Sequence, residues 1–227
     1  MVELSEDYEG YVEESRPKLL VGDIVDWSEY RIDYSIPSDS FHFLQAFPSF
    51  SAYEGRLLIG DPRIFSGILP LVFQADTELH HRDTIVVGHS AFSRLFCWNR
   101  KYGPILIDLI SARVECSALV HPEQRNVLSN VDFELLISVR DVDVLDEEDE
   151  DGKLLFERAN KKYGPLDYGQ CYGFRLALPL GGYRTLDKLE KLSAPEHFSF
   201  LAQLQPFKLI DWGTTNDFGL RVIREIG

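Results

Sequence analysis

Cysteine is scarce: only Cys97, Cys116 and Cys171, with no CxxC pair among them. Such an odd, scattered set argues against a disulfide framework. Long apolar stretches are lacking too. The run from Tyr172 to Leu180 has the length of a buried strand or extended segment and is too short to span a membrane. Met1 leads straight into Glu3, Glu6, Asp7 and Glu9, with no basic-then-apolar leader, so a cytoplasmic protein without a membrane helix is expected. Positive charge is in deficit, with 23 Lys and Arg against 37 Asp and Glu and a formal net charge of −14. Phosphate contacts need a basic surface, so no direct nucleic-acid binding is expected. A field of this sign suits a basic protein partner, because it speeds encounter with cations and repels DNA.

Catalytic motifs are equally sparse. The chain has no GxGxxG, Walker A loop or HExxH. Gly88-His89-Ser90-Ala91-Phe92 has the outline of a nucleophile elbow, but Phe92 stands where the last Gly belongs and another strand is expected to follow, so a turn is predicted. His80-His81 with Asp83 could supply metal ligands, yet adjacent His side chains diverge. Glu147, Asp149, Asp151 and Gly152 fall at the first, third, fifth and sixth positions of a calcium loop, and Leu154 fits the eighth. Arg158, a cation, sits where the closing bidentate Glu would be. Glu196 and His197 are neighbours on a predicted helix and point apart. No catalytic residue, metal site or cofactor is assigned, and the chain is read as not an enzyme.

What is present is a core. With 44% hydrophobic and 12% aromatic residues, 227 positions can fill one large domain or two small ones. The first thirty residues, acidic and aromatic, read as a loosely ordered lead-in. Pro37 to Pro48 predicts a helix with Phe41, Phe43, Leu44 and Phe47 on its apolar surface, and Ser51 to Ile59 a turn leading into a strand. Asp61-Pro62 is a helix start, continued by Ile64, Phe65, Ile68, Leu69, Val72 and Phe73 and made imperfect by Gly67 and Pro70. Three strand-like runs, Thr84 to Gly88, Arg94 to Asn99 and Pro104 to Leu109, predict a meander, which Arg113 to Val120 could extend.

Asp132 to Arg140 reads as a short helix capped by Asp132. Asp141 to Asp151 then holds eight acidic residues in eleven and no basic one, a self-repelling run most simply taken as a solvated linker. It divides the chain into a lobe at 1–140 and a lobe at 152–227. Lys153 to Tyr163 resumes as helix. Gly164-Pro165 and Gly181-Gly182 are turns around the Tyr172 to Leu180 run, Thr185 caps a predicted helix carrying Leu186, Leu189 and Leu192, and Pro195 starts another with Phe198, Leu201 and Ala202 on one face. Phe207 to Trp212 and Phe218 to Ile226 predict a terminal hairpin around Gly213 to Asp217. The expected fold class is α+β, a central antiparallel sheet with helices packed against it, in two lobes on one core or on two.

Gly164-Pro165-Leu166, Cys171-Tyr172-Gly173-Phe174, Ala177 to Gly182, Leu189-Glu190-Lys191 and Glu196-His197 together resemble the C-terminal half of the GAD-like family. The helix, turn, strand, Asp-Pro helix order and Phe92 to Trp98 resemble its N-terminal half, so the likeness runs from about Pro37 to Gln205. Gln170 replaces a Glu of the family pattern, and Arg175 to Pro179 depart from its usual order. The family includes bacterial type VI secretion immunity proteins that neutralise DNase toxins. The resemblance therefore implies an immunity protein that binds a cognate basic nuclease toxin and covers its DNA-binding or active site. The acidic run supplies the expected contact residues, Asp146, Glu147, Glu148, Asp149, Glu150 and Asp151, with carboxylates where a nuclease expects phosphates. The alternative is a non-catalytic binding or scaffold module for another protein, or for a small ligand in a pocket lined by Tyr172, Phe174 and the Gly-Gly turn. A third reading is a hydrolase using Ser90 or His197.

Overall fold

The computed structural model describes residues 4–21, 24–125, 133–139, 141–211 and 219–227. Seven strands follow one another through the first half: β1 (Lys18–Leu19), β2 (Phe50–Ala52), β3 (Leu57–Ile59), β4 (Thr84–Ser90), β5 (Arg94–Asn99), β6 (Gly103–Asp108) and β7 (Arg113–Glu115). Each pairs antiparallel with the next. The chain later returns with β10 (Lys208–Asp211) parallel to β7 and β11 (Arg221–Glu225) antiparallel to β10, making nine strands among the described residues. Between these visits β8 (Gln170–Phe174) and β9 (Leu189–Ser193) form a separate antiparallel pair.

Alternation along the central strands sends side chains to two faces, and both are buried. Val86, Leu95, Cys97, Ile107 and Val114 face a core that includes Phe65, Val72, Phe73, Phe198 and Leu209. Ile85, Val87, Phe96 and Trp98 face a second core with Tyr8, Tyr11, Phe43, Leu44, Phe133 and Ile137. The helices α1 (Glu6–Ser15), α2 (Ser28–Arg31), α3 (Ser38–Ala46), α4 (Leu69–Phe73), α5 (Ser117–Val120), α6 (Phe133–Ile137), α7 (Phe156–Tyr163) and α8 (Ala194–Leu201) are distributed over these layers. The fold is thus α+β, with a large, mostly antiparallel sheet. Phe65 and Val72 share one core with Phe198 and Leu209, so the two lobes are continuous there. The register of β4 on β5 shifts by a bulge between Val86 and Gly88. A Cβ on Gly88 would lie 2.5 Å from the Leu58 carbonyl oxygen, so only glycine fits.

The meander and terminal hairpin form as read, although the expected turn at Gly213 to Asp217, with Trp212 and Phe218, and the Asp132 cap lie outside the described residues. Asp61 does cap its helix, accepting from the Arg63 N–H at 2.9 Å, but the helix divides into a 3-10 turn at Pro62–Phe65 and α4 around Gly67. Ser51 to Ile59 is a hairpin, with strand on both sides of the Tyr53–Gly55 turn.

Two expectations are corrected. The N-terminal stretch holds an ordered helix, α1, whose Tyr8 and Tyr11 are 0% and 2% exposed, with Tyr8 stacked on Phe43 at 4.5 Å between centroids. Tyr8, Tyr11 and Ser15 recur at helical spacing on one face, while Glu6, Asp7 and Glu9 suit the positive end of the helix dipole. The predicted helix after Thr185 is instead a 3-10 turn, Leu186–Lys188, followed by strand β9. There Leu189 and Leu192 pair across from Phe174 and Cys171, and the demand of β8 for a partner overrides a three-residue leucine spacing.

Candidate functional site

The acidic segment is an ordered hairpin. Glu148 and Leu154 form an antiparallel bridge, the Asp149 N–H donates to the Lys153 carbonyl at 2.9 Å, and Gly152 turns the chain at φ +75°. The Asp149 side chain accepts from the N–H groups of Asp151 and Lys153, both at 3.0 Å, and from Arg158. Those bonds offset the self-repulsion of the run.

The structure sorts the six expected contact residues into two groups. Asp146 and Glu147 turn inward, at 7% and 8% exposure. Asp146 Oδ1 accepts from the N–H groups of Glu147, Leu155 and Phe156 at 2.7, 3.1 and 2.8 Å, so it caps the start of α7 from ten residues before its first residue. Burial pushes its carboxyl up, against the pull of those N–H groups and of Arg56. Glu147 pairs with Arg184 at 3.0 Å, yet burial carries its pKa to about 7, with Asp108 adding to the shift and Arg184 and Arg94 opposing it. Glu148, Glu150 and Asp151 face solvent, and Asp149 is half-buried. Asp151 has Lys153 at 3.5 Å, whereas no cation among the described residues lies within 4 Å of Glu148 or Glu150.

Arg56, between the Tyr53–Gly55 turn and β3, anchors the hairpin from below. Its guanidinium lies 4.4 Å from the Phe156 ring centroid and within 4 Å of Asp146, Glu157 and Glu54. It lines a cleft of about 650 Å³ together with Arg16, Lys18, Glu54, Glu157 and Arg158, in which opposite charges largely cancel.

Next to the hairpin stands a feature for which the sequence carries little signal. The Glu150 N–H donates to the Arg184 carbonyl at 3.1 Å, docking the hairpin on the loop between β8 and β9. That loop folds back on itself: Leu180 and Gly182 both donate to the Ala177 carbonyl, and Gly181 adopts φ +88°. A Cβ on Gly182 would sit 1.9 Å from the Leu176 carbonyl oxygen. This tight closure leaves Leu176, Leu180 and Tyr183 at 50%, 51% and 63% exposure. The Gly-Gly pair announced the turn, but nothing in the spacing said which apolar side chains it would expose.

The other candidate residues are accounted for locally. Tyr172 and Phe174 are buried in a third core with Phe92, Phe156 and Leu189. Ser90 is buried and its Oγ accepts from the N–H groups of Phe92 and Arg94 at 3.2 and 3.1 Å, which makes it the cap of a strand-to-strand turn. His89 is buried among Phe65, Tyr168 and Phe198, and burial lowers its pKa to about 4. Burial likewise lowers that of His197, while Glu196 is exposed. Asp83 pairs with Arg100 at 2.5 Å. In the calcium-like spacing, Glu147 and Asp149 are engaged by arginines, and no cluster of three or more His, Cys, Asp or Glu among the described residues is arranged to hold a metal.

The hairpin, α7, β8, the exposed loop, β9 and α8 are all contained in one matched segment. Residues 133–205 match the family model of the T6SS immunity protein Tdi1, C-terminal. The match covers about a third of the 227 residues and supports kinship with type VI secretion immunity proteins. A solved structure similar over nearly the whole chain is the crystal structure of Atu4351 from Agrobacterium tumefaciens. It is 27% identical, with a TM-score of 0.80 over 97% of this chain and 98% of that one. Among curated proteins none matches. Among the described residues no helix is long and apolar enough to cross a membrane.

Proposed function

We propose that this protein is a cytoplasmic, non-catalytic immunity protein that binds a nuclease toxin of a type VI secretion system and covers its DNA-binding or active site. The observation that carries the reading is the match of residues 133–205 to the immunity-protein model, because that segment contains both the acidic hairpin and the exposed loop beside it. The formal charge of −14 adds to it. A DNA-cutting enzyme presents cations to its substrate, and Glu148, Glu150 and Asp151 offer carboxylates in place of phosphates. Asp146 and Glu147 serve the same surface indirectly, by holding the hairpin on α7 and on Arg184. In this reading residues 1–140 form a GAD-like lobe, 141–151 the acidic connection and 152–227 the immunity-family lobe.

The test is competition. The product of the adjacent gene, inactivated by mutation if it cleaves DNA as the reading expects, is bound to labelled duplex DNA, and the protein is titrated in. Release of the DNA at one equivalent supports coverage of the DNA-binding face. Retention of the DNA, with or without a ternary complex, rules that out.

A further inference from the structure

Tyr183, Leu180 and Leu176 project from a loop that is closed on itself. The loop is closed by the two hydrogen bonds to the Ala177 carbonyl, and at Gly182 the chain passes so near the Leu176 carbonyl that no side chain fits. Large apolar side chains at 50% exposure or more on a hydrogen-bonded loop are poorly placed for the stability of an isolated monomer. They are well placed for binding, because little conformational entropy remains to be lost when they are covered. The acidic hairpin lies directly beside them through Glu150 and Arg184, and its Glu148 and Glu150 have no cation within 4 Å among the described residues.

An apolar centre flanked by unpaired charge of one sign is the anatomy of a protein interface, with anchoring side chains in the middle and steering charges at the rim. We propose that Leu176, Leu180 and Tyr183 form the anchor of the partner-binding surface, seated in an apolar recess of a basic protein whose Lys or Arg side chains meet Glu148 and Glu150. The occupant is a basic protein, because a chain of net charge −14 with this acidic rim repels a second copy of itself and repels anionic membranes. The inference rests on the immunity reading and adds to it the side chains that supply the binding energy.

The experiment measures association and dissociation of the 227-residue chain with the inactivated product of the adjacent gene, the nuclease toxin that the proposed function expects. Five proteins are compared: wild type, Leu180→Ser with Tyr183→Ser, Tyr183→Glu, Glu148→Gln with Glu150→Gln, and Ile32→Ser, a control at a residue 85% exposed elsewhere. Thermal melts confirm that each is folded. The anchor variants are expected to weaken binding at least about tenfold, chiefly through faster dissociation, and the glutamine pair to slow association several-fold and flatten its salt dependence. Ile32→Ser should bind as wild type does. If wild type forms no complex, the immunity reading fails and this inference with it. If wild type binds and both anchor variants bind equally well, the inference alone fails. Self-association of the free chain that the anchor substitutions abolish would assign the loop to a second copy and overturn it as well.

Discussion

Arg56 Nε and Asp146 Oδ2 lie 3.9 Å apart, both buried and neither hydrogen-bonded. The pair joins the turn before β3 to the acidic hairpin, ninety positions later in the chain. It is a charge contact without the directed bond that such burial usually brings, and Arg56 is the one cation within 4 Å of the Asp146 carboxylate among the described residues. Asp146 also accepts from two N–H groups at the start of α7, those of Leu155 and Phe156, and the Arg56 guanidinium lies over the Phe156 ring.

Arg56→Ala should therefore destabilise the protein by about 3 kcal/mol, because it strands a buried carboxylate and uncovers Phe156. Asp146→Ala should cost a similar amount. In denaturant titrations the double variant should lose clearly less than the two single losses added together. Additive losses would mean that the two side chains act independently.

Glu147 predicts an unusual pH dependence. Its pKa lies near 7 in the fold, above the ordinary carboxylate value, so the native state binds its proton more tightly than the unfolded chain does. Its contribution to stability is full below about pH 4.5 and is lost as pH rises through about 7, an effect on the order of 3 kcal/mol. Glu147→Gln should remove this slope, and the difference in melting temperature between variant and wild type should grow in the variant's favour from pH 5 to pH 7.5. A pH-independent difference would show that Glu147 is charged throughout.

Asp76 behaves in the opposite sense. Burial raises its carboxyl, but Arg224 and the N–H groups of Leu79 and Glu78 more than compensate and bring it to about 2. Its contribution is present above pH 4 and is lost as pH falls through about 2. Arg224 reaches it from β11, so Arg224→Ala should loosen that edge strand. Amide exchange at residues 221–225 should accelerate at least about tenfold while the β4–β6 amides keep their protection.

Gly182→Ala should cost more than about 2 kcal/mol, since its Cβ would meet a backbone carbonyl at 1.9 Å and the loop would have to open. Gly181→Ala should cost less, because it meets only the backbone strain of φ +88°. Thermal denaturation of the two variants gives the ranking.

Much of this fold was legible because its signals are local. The period-two runs of β4 to β6 bury alternate residues on opposite faces, and Asp61-Pro62 marks a helix start that the Asp61 side chain does cap. The β9 strand was not legible, because leucines three apart describe a helix until β8 lies alongside. Nor was α1, whose Tyr8 and Tyr11 look like surface aromatics in an acidic stretch until Phe43 packs against them. At the candidate site the sequence pointed to Asp146 through Asp151 as one charged run. It could not separate Asp146 and Glu147, drawn inward by α7 and Arg184, from Glu148 and Glu150, which face solvent.

The most direct measurement takes the product of the adjacent gene, which the account expects to cleave DNA, and follows cleavage at fixed concentration of that product, with this protein added from a tenth of an equivalent to ten. A neutralising partner predicts a linear fall in the rate that reaches its floor at one equivalent, at physiological salt and without pre-incubation with DNA. Cleavage unchanged at ten equivalents would contradict the account.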